Sequence, residues 1–115
     1  MHTEMNLPPL TVIIPAAGIG SRMKAELPKQ YLPLLDQPII AHSLSKFVDL
    51  PFVRHVVVAL SSDDKWFHQL PISRHSKIQT VTGGQERADS VLSGLKQAQE
   101  LGTDWVMVHD AARPC

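Results

Sequence analysis

Leu10-Thr-Val-Ile-Ile-Pro-Ala-Ala-Gly-Ile-Gly-Ser-Arg-Met23 is the stretch whose character decides the fold. Leu10 to Ile14 is apolar and β-branched with no polar alternation, the pattern of a short strand covered on both faces, as in parallel sheets. Pro15 closes that strand, and the small residues Ala16, Ala17, Gly18 and Gly20 follow. Small residues there let a ligand approach the main chain, whose N–H groups can meet phosphate oxygens. Arg22 and, further on, Lys29 supply positive charge for a triphosphate under attack at its α-phosphate. No Gly-Lys-Ser/Thr follows, so the loop is not a Walker A loop, and the third glycine of a dinucleotide-binding fingerprint is missing. Taken alone, the segment fits equally well a tight strand-to-helix turn with two solvated cations.

Working outward, three further strand-like runs appear. They are Val53 to Leu60, the weaker Ile78 to Thr82, and Trp105 to Val108. Helical patterns fall between them. Pro38 suits the first position of a helix whose face is lined by Ile40, Leu44, Phe47 and Val48. Asp64 to Leu70 predicts a short helix. Glu86 to Leu101 predicts a longer one, with Ala88, Val91, Leu92, Leu95 and Ala98 at helical spacing and Gly102 as its C-terminal cap. Strand and helix in alternation imply right-handed parallel crossovers and an α/β layered fold. The last residues, Asp110-Ala-Ala-Arg-Pro-Cys115, follow the fourth strand directly, where such a sheet normally continues; the expectation is a fold cut after that strand, with an exposed edge open to association.

Composition narrows the class. At 115 residues the chain is one domain at most, residues 1–115, and its formal net charge of zero argues against a nucleic-acid binder. The single cysteine, Cys115, rules out a disulfide within the chain and suits a reducing cytosol. The first residues carry no basic segment ahead of an apolar run, and the apolar stretches are strand-sized. A cytoplasmic protein with neither signal peptide nor membrane span is therefore expected.

In open parallel sheets, ligands bind at the carboxyl ends of the strands where strand order reverses. Two more unusual segments leave strand ends here. Gly83-Gly84-Gln85-Glu86-Arg87-Ala88-Asp89-Ser90 sets two glycines just before a helix. Gly84 main-chain groups and the Ser90 side chain are candidates for contacting a base or ribose; glycines for a turn and acidic residues for the helix dipole explain the same residues. In His109-Asp110-Ala-Ala-Arg113, Asp110 follows a strand of buried character, where a carboxylate is costly unless paired or metal-bound. It is the candidate for a Mg²⁺ ion bridging phosphates, with a helix-capping aspartate as the alternative. The six histidines lack ligand spacing, His109 is expected to pack beside the site, and Trp66 and Trp105 are expected in the core.

Taken together, Pro15-Ala-Ala-Gly-x-Gly-x-Arg-Met23 and Pro28-Lys29-Gln30-Tyr31 resemble the signature of nucleotidyltransferases that activate sugars and alcohols. Gly83-Gly84-x-x-Arg87-x-x-Ser90-Val91 and Val108-His-Asp-Ala-Ala-Arg-Pro114 narrow the resemblance to the 2-C-methyl-D-erythritol 4-phosphate cytidylyltransferases. That family implies a Rossmann-like, mostly parallel sheet with flanking helices, of the nucleotide-diphospho-sugar transferase type. It also implies in-line attack of the methylerythritol phosphate oxygen on the α-phosphorus of Mg-CTP, with pyrophosphate leaving. By position, Arg22 and Lys29 would stabilise charge at that phosphorus. Ala16, Ala17 and Gly18, with Gly84, Gln85 and Ser90, would bind cytosine and ribose, and Asp110 would help hold Mg²⁺. Some members have an acidic residue where this chain has Gln85; glutamine can still hydrogen-bond an amino group or hydroxyl, so a changed contact is expected. The resemblance places further acceptor-binding residues and a dimerising arm beyond Cys115. It thus implies a homodimeric full-length protein and a chain holding only the CTP half-site, without normal turnover of its own. Two other readings remain at this point: a related cytidylyltransferase for another polyol phosphate such as ribitol 5-phosphate, and a non-catalytic nucleotide-binding fragment.

Overall fold

An apolar strand without polar alternation has to be covered on both sides, and the fold does this with one helix above the sheet and one below. The structure is a computed structural model that describes residues 8–17, 29–34 and 36–111, with Lys29 and Leu34 described by main chain only. Strand β1 spans Leu10–Ala16 and is buried from Thr11 onward. A 3-10 turn, Lys29–Tyr31, leads to a two-residue ladder of β2 (Pro33–Leu34) and β3 (Gln37–Pro38). Helix α1 (Ile39–Val48) and strand β4 (Val53–Leu60) follow. After two 3-10 turns come β5 (Ile78–Thr82), α2 (Arg87–Glu100) and β6 (Trp105–Val108). The four long strands run parallel in the order β5-β4-β1-β6.

Period-two alternation divides β1 between the two helices. Val12, Ile14 and Ala16 join Val56, Val58 and Leu60 of β4 in one buried cluster with Ile40, Leu44, Phe47 and Val48 of α1. Ile13 points the other way, against Gly94 of α2. The expected apolar face of α1 is therefore the one that packs. On α2, Ser90, Gly94 and Ala98 form the buried stripe, and Gln97 donates to Gln79 of β5 at 2.8 Å. Leu92 and Leu95 are exposed. Gly102 does close α2, with φ of +77° that a side chain would resist. At the carbonyl end of α1, the Lys77 ammonium donates to Val48 O at 2.9 Å and Leu50 O at 3.1 Å, where the helix dipole favours a cation.

Of the apolar pattern expected on α2, Ala98 is buried while Leu92 and Leu95 are not, because the helix closes on the sheet through its small residues. Three further expectations change. The region 64–70 is not an α-helix: it holds a 3-10 turn at Phe67–Gln69, followed by another at Pro71–Arg74. Asp64 Oδ1 accepts the N–H groups of Trp66 and Phe67, both at 2.9 Å, and Pro71 forbids continuation of the first turn. Pro38 lies one residue ahead of α1 and pairs with Pro33 instead of opening the helix. Trp105 is 59% exposed, and Val106 and Met107 are exposed beside it. The cause is position: β6 is the last strand of the sheet, paired only with β1 among the described residues, so its run of apolar residues lines an edge. No helix among the described residues is long and apolar enough to cross a membrane.

Candidate functional site

From β1 the chain moves outward to β4 and β5, then returns past β1 to β6. Strand order thus reverses between β1 and β6, and their carboxyl ends define the crevice where ligands bind in open α/β sheets. Among the described residues, Ala17 after β1, Gly83 to Glu86 after β5 and His109 to Ala111 after β6 leave strands at this end.

The loop after β5 crosses toward β1. A β-carbon on Gly83 would stand 2.8 Å from Ala17 Cβ and 2.5 Å from Ser90 Oγ, so the two main chains approach as only glycine allows. Gly83 N–H donates to Leu60 O at 2.8 Å, which fixes the loop over β4. Gly84 N–H donates to the fully buried Ser90 hydroxyl at 3.3 Å. Ser90 thus supports the loop from below, while Gln85 stands exposed at its crest. Glu86 N–H donates to Asp89 Oδ2 at 3.2 Å, closing the first turn of α2.

Arg87, at the start of α2, reaches the end of β6: its Nε donates to Asp110 Oδ1 at 2.9 Å. In the sequence Arg87 has a place in a motif but no role. Its signal is visible only in space, because the pair is separated by 23 residues. Asp110 itself is one-third exposed and not deeply buried, since the strand before it is an edge. The adjacent His109 ring meets Phe47 edge-on with centroids 5.2 Å apart, so it packs beside the site as expected.

On the other flank, Gln30 Nε2 donates to Ala16 O at 2.9 Å, tying the Lys29–Tyr31 turn to the end of β1. Tyr31 donates its hydroxyl to Asp64 Oδ2 at 2.5 Å and packs against Trp66, the rings tilted by 36° with centroids 5.4 Å apart. The structure therefore brings Ala16, Ala17, Gly84, Gln85, Ser90 and Asp110 to one end of the sheet, with the Lys29 main chain next to Gln30. Gly18, Arg22 and the Lys29 side chain lie outside the described residues.

For a metal, the described residues contain no group of three or more His, Cys, Asp or Glu that could hold one. Mg²⁺ does not need such a cage, because it binds through one or two carboxylates plus substrate phosphates and water. Asp110, partly exposed at the crevice, suits that mode.

Burial, reinforced by the hydrogen bond and charge of Asp64, raises the Tyr31 phenol far above its ordinary value of 10.0. The folded phenol stays protonated where the unfolded one ionises. Its contribution to stability is complete below about pH 10 and declines above it, by up to about 1.4 kcal/mol per pH unit. Tyr31→Phe is expected to flatten this alkaline decline, as read from urea midpoints at successive pH values. A decline of unchanged slope would assign it to another group.

The chain matches the family model of 2-C-methyl-D-erythritol 4-phosphate cytidylyltransferase over residues 10–115. It is 52% identical over 107 residues to the 2-C-methyl-D-erythritol 4-phosphate cytidylyltransferase of Vibrio cholerae, covering 92% of this chain and 46% of that protein. A crystal structure of a 4-diphosphocytidyl-2C-methyl-D-erythritol synthase superposes with a TM-score of 0.74 at 28% identity, over 93% of this chain and 47% of the other. The Francisella tularensis 2-C-methyl-D-erythritol 4-phosphate cytidylyltransferase gives 0.66 at 36% identity, over 93% and 46%. The chain thus spans about half the length of the relatives it matches. With the family model matched over residues 10–115 and relatives about half identical in sequence beside it, the chain belongs to the 2-C-methyl-D-erythritol 4-phosphate cytidylyltransferase family.

Proposed function

We propose that this chain carries the CTP half-site of an enzyme that transfers CMP from CTP to 2-C-methyl-D-erythritol 4-phosphate and releases pyrophosphate. The observation that supports this most is the convergence of three loops on one crevice: Gly83 against Ala17, and Arg87 on Asp110. Such a crevice has main-chain groups for a base and ribose on one side and a carboxylate for a metal–phosphate group on the other.

In this reading, the main chain at Ala16, Ala17 and Gly18, with Gly84 and Gln85, binds the cytosine and ribose, and Ser90, buried beneath, serves by holding Gly84. Small residues on these loops let the main chain close on the base, which favours a pyrimidine over a bulkier purine by fit. Arg22 and Lys29 stabilise the negative charge that develops around the α-phosphorus. Asp110 holds Mg²⁺, and Arg87 holds Asp110 in place. A bound Mg²⁺ held there would supply positive charge to offset that of the phosphates. The full-length protein is a cytoplasmic homodimer in this reading.

Calorimetric titration of this chain with Mg-CTP, with Mg-UTP and Mg-GTP as controls, tests the proposal. Saturable binding selective for CTP is expected. Preference for UTP or GTP would assign the site to a different nucleotidyltransferase, and no binding to any of the three would remove the CTP half-site from this chain.

A further inference from the structure

Gln30 is buried to 1% exposure, with only half of its amide satisfied. Its Nε2 donates to Ala16 O, but Oε1 is buried with no hydrogen-bond partner among the described residues. An unmet acceptor is a cost an aliphatic side chain of similar volume would avoid. The next residue is anchored as firmly. Tyr31 is 4% exposed, and its hydroxyl donates to Asp64 Oδ2. Asp64 is itself fixed, because its other oxygen accepts the N–H groups of Trp66 and Phe67. Two successive side chains therefore pin one short turn at two places. One is the end of β1, and the other is the loop that follows β4.

The residue ahead of both anchors in that turn is Lys29. Consecutive Cα atoms are about 3.8 Å apart, so the Lys29 main chain cannot shift without dragging Gln30 off Ala16. Lys29 has five bonds between its Cα and its ammonium, and a long flexible cation delivers charge accurately only from a fixed root. Ala16 belongs to the nucleotide-binding main chain, so the Gln30 bond also sets the distance between that main chain and the Lys29 root.

We propose that Gln30 and Tyr31 are positioning residues, which lock the root of Lys29 to the end of β1 so that its charge meets the nucleotide phosphates. This rests on the reading of Lys29 as a phosphate-binding residue.

The test is a pair of double-mutant cycles on this chain, with the Kd of Mg-CTP measured by calorimetry. One cycle combines Gln30→Met with Lys29→Met. The other combines Tyr31→Phe with Lys29→Met. Tyr31→Phe keeps the ring in the core and so guards against loss of the fold. If the anchors act through Lys29, each is expected to weaken Mg-CTP binding about tenfold when Lys29 is present, and less than about twofold in the Lys29→Met background. A merely structural role would weaken binding equally in both backgrounds, and that result overturns the proposal while leaving the Lys29 assignment standing. Anchor substitutions that leave Kd unchanged with Lys29 present overturn it as well. If Lys29→Met alone leaves the Kd of Mg-CTP unchanged, Lys29 makes no contact with the bound nucleotide and the positioning role falls, whereas its role at the α-phosphorus is read separately from turnover.

Discussion

Gly94→Val is expected to remove about 3 kcal/mol of stability, a large share of what a small domain has. A β-carbon at Gly94 would stand 2.4 Å from Ile13 Cγ2 and 3.2 Å from Ile13 Cγ1. Ile13 cannot step aside, because β1 is held between β4 and β6 and a β-branched side chain has little rotamer freedom. Two effects compete at this site. Glycine inside a helix costs about 1 kcal/mol relative to alanine, so propensity alone predicts that Gly94→Ala stabilises α2. Overpacking a closed core costs about 1–3 kcal/mol, so packing predicts the reverse. With the clash this close, packing wins, and Gly94→Ala is expected to lose about 1 kcal/mol net. Valine adds two more methyl groups and has poorer helix propensity, so it loses more. Thermal unfolding reads the difference, and the valine chain should melt lower by on the order of 10 °C or more. A Gly94→Ala chain more stable than the parent would show that α2 can ride outward from β1 at little cost.

Asp110→Ala is expected to weaken Mg-CTP binding on the order of 10- to 100-fold and to abolish its dependence on Mg²⁺. The carboxylate stands at the crevice on the end of β6, with Oδ1 held by Arg87 at 2.9 Å. Half-exposed ion pairs contribute roughly 0–1 kcal/mol to folding, so the substitution should hardly move the unfolding midpoint. Lost binding therefore cannot be ascribed to lost fold. Asp110→Asn sharpens the comparison, because an amide oxygen can still accept from Arg87 but brings no charge to a metal. It should retain the parent midpoint and lose the Mg²⁺ dependence. Calorimetry with Mg²⁺ and with a chelator makes the measurement. Unchanged Mg²⁺ dependence in both variants would transfer the metal role away from Asp110.

Much of the fold was legible because its elements bury themselves in the ways their patterns require. The apolar run Leu10 to Ile14 could only be a doubly covered strand, and the stripe Ile40, Leu44, Phe47 and Val48 could only face a sheet. Gly102 ended α2 where a positive φ is needed. The segments around Ala16, Gly84 and Asp110 stood out because small residues and a lone carboxylate at strand ends are poor choices for packing alone.

The α/β class, the parallel strands, both helices and the residues to suspect were readable from local pattern, since each follows from periodicity or from a conformational need of the main chain. Tertiary structure alone decided which strand became the edge, and hence that Trp105 lies exposed while the equally apolar β1 is buried. It also converted the expected helix at 64–70 into 3-10 turns, because Asp64 is shared between its own loop and Tyr31, 33 residues earlier. It paired Arg87 with Asp110 and Gln30 with Ala16, contacts that no spacing rule announces. The physical reason is the same in each case: local pattern records how much of a segment must be buried, whereas partners are chosen by the strand order that brings distant segments to the same end of the sheet.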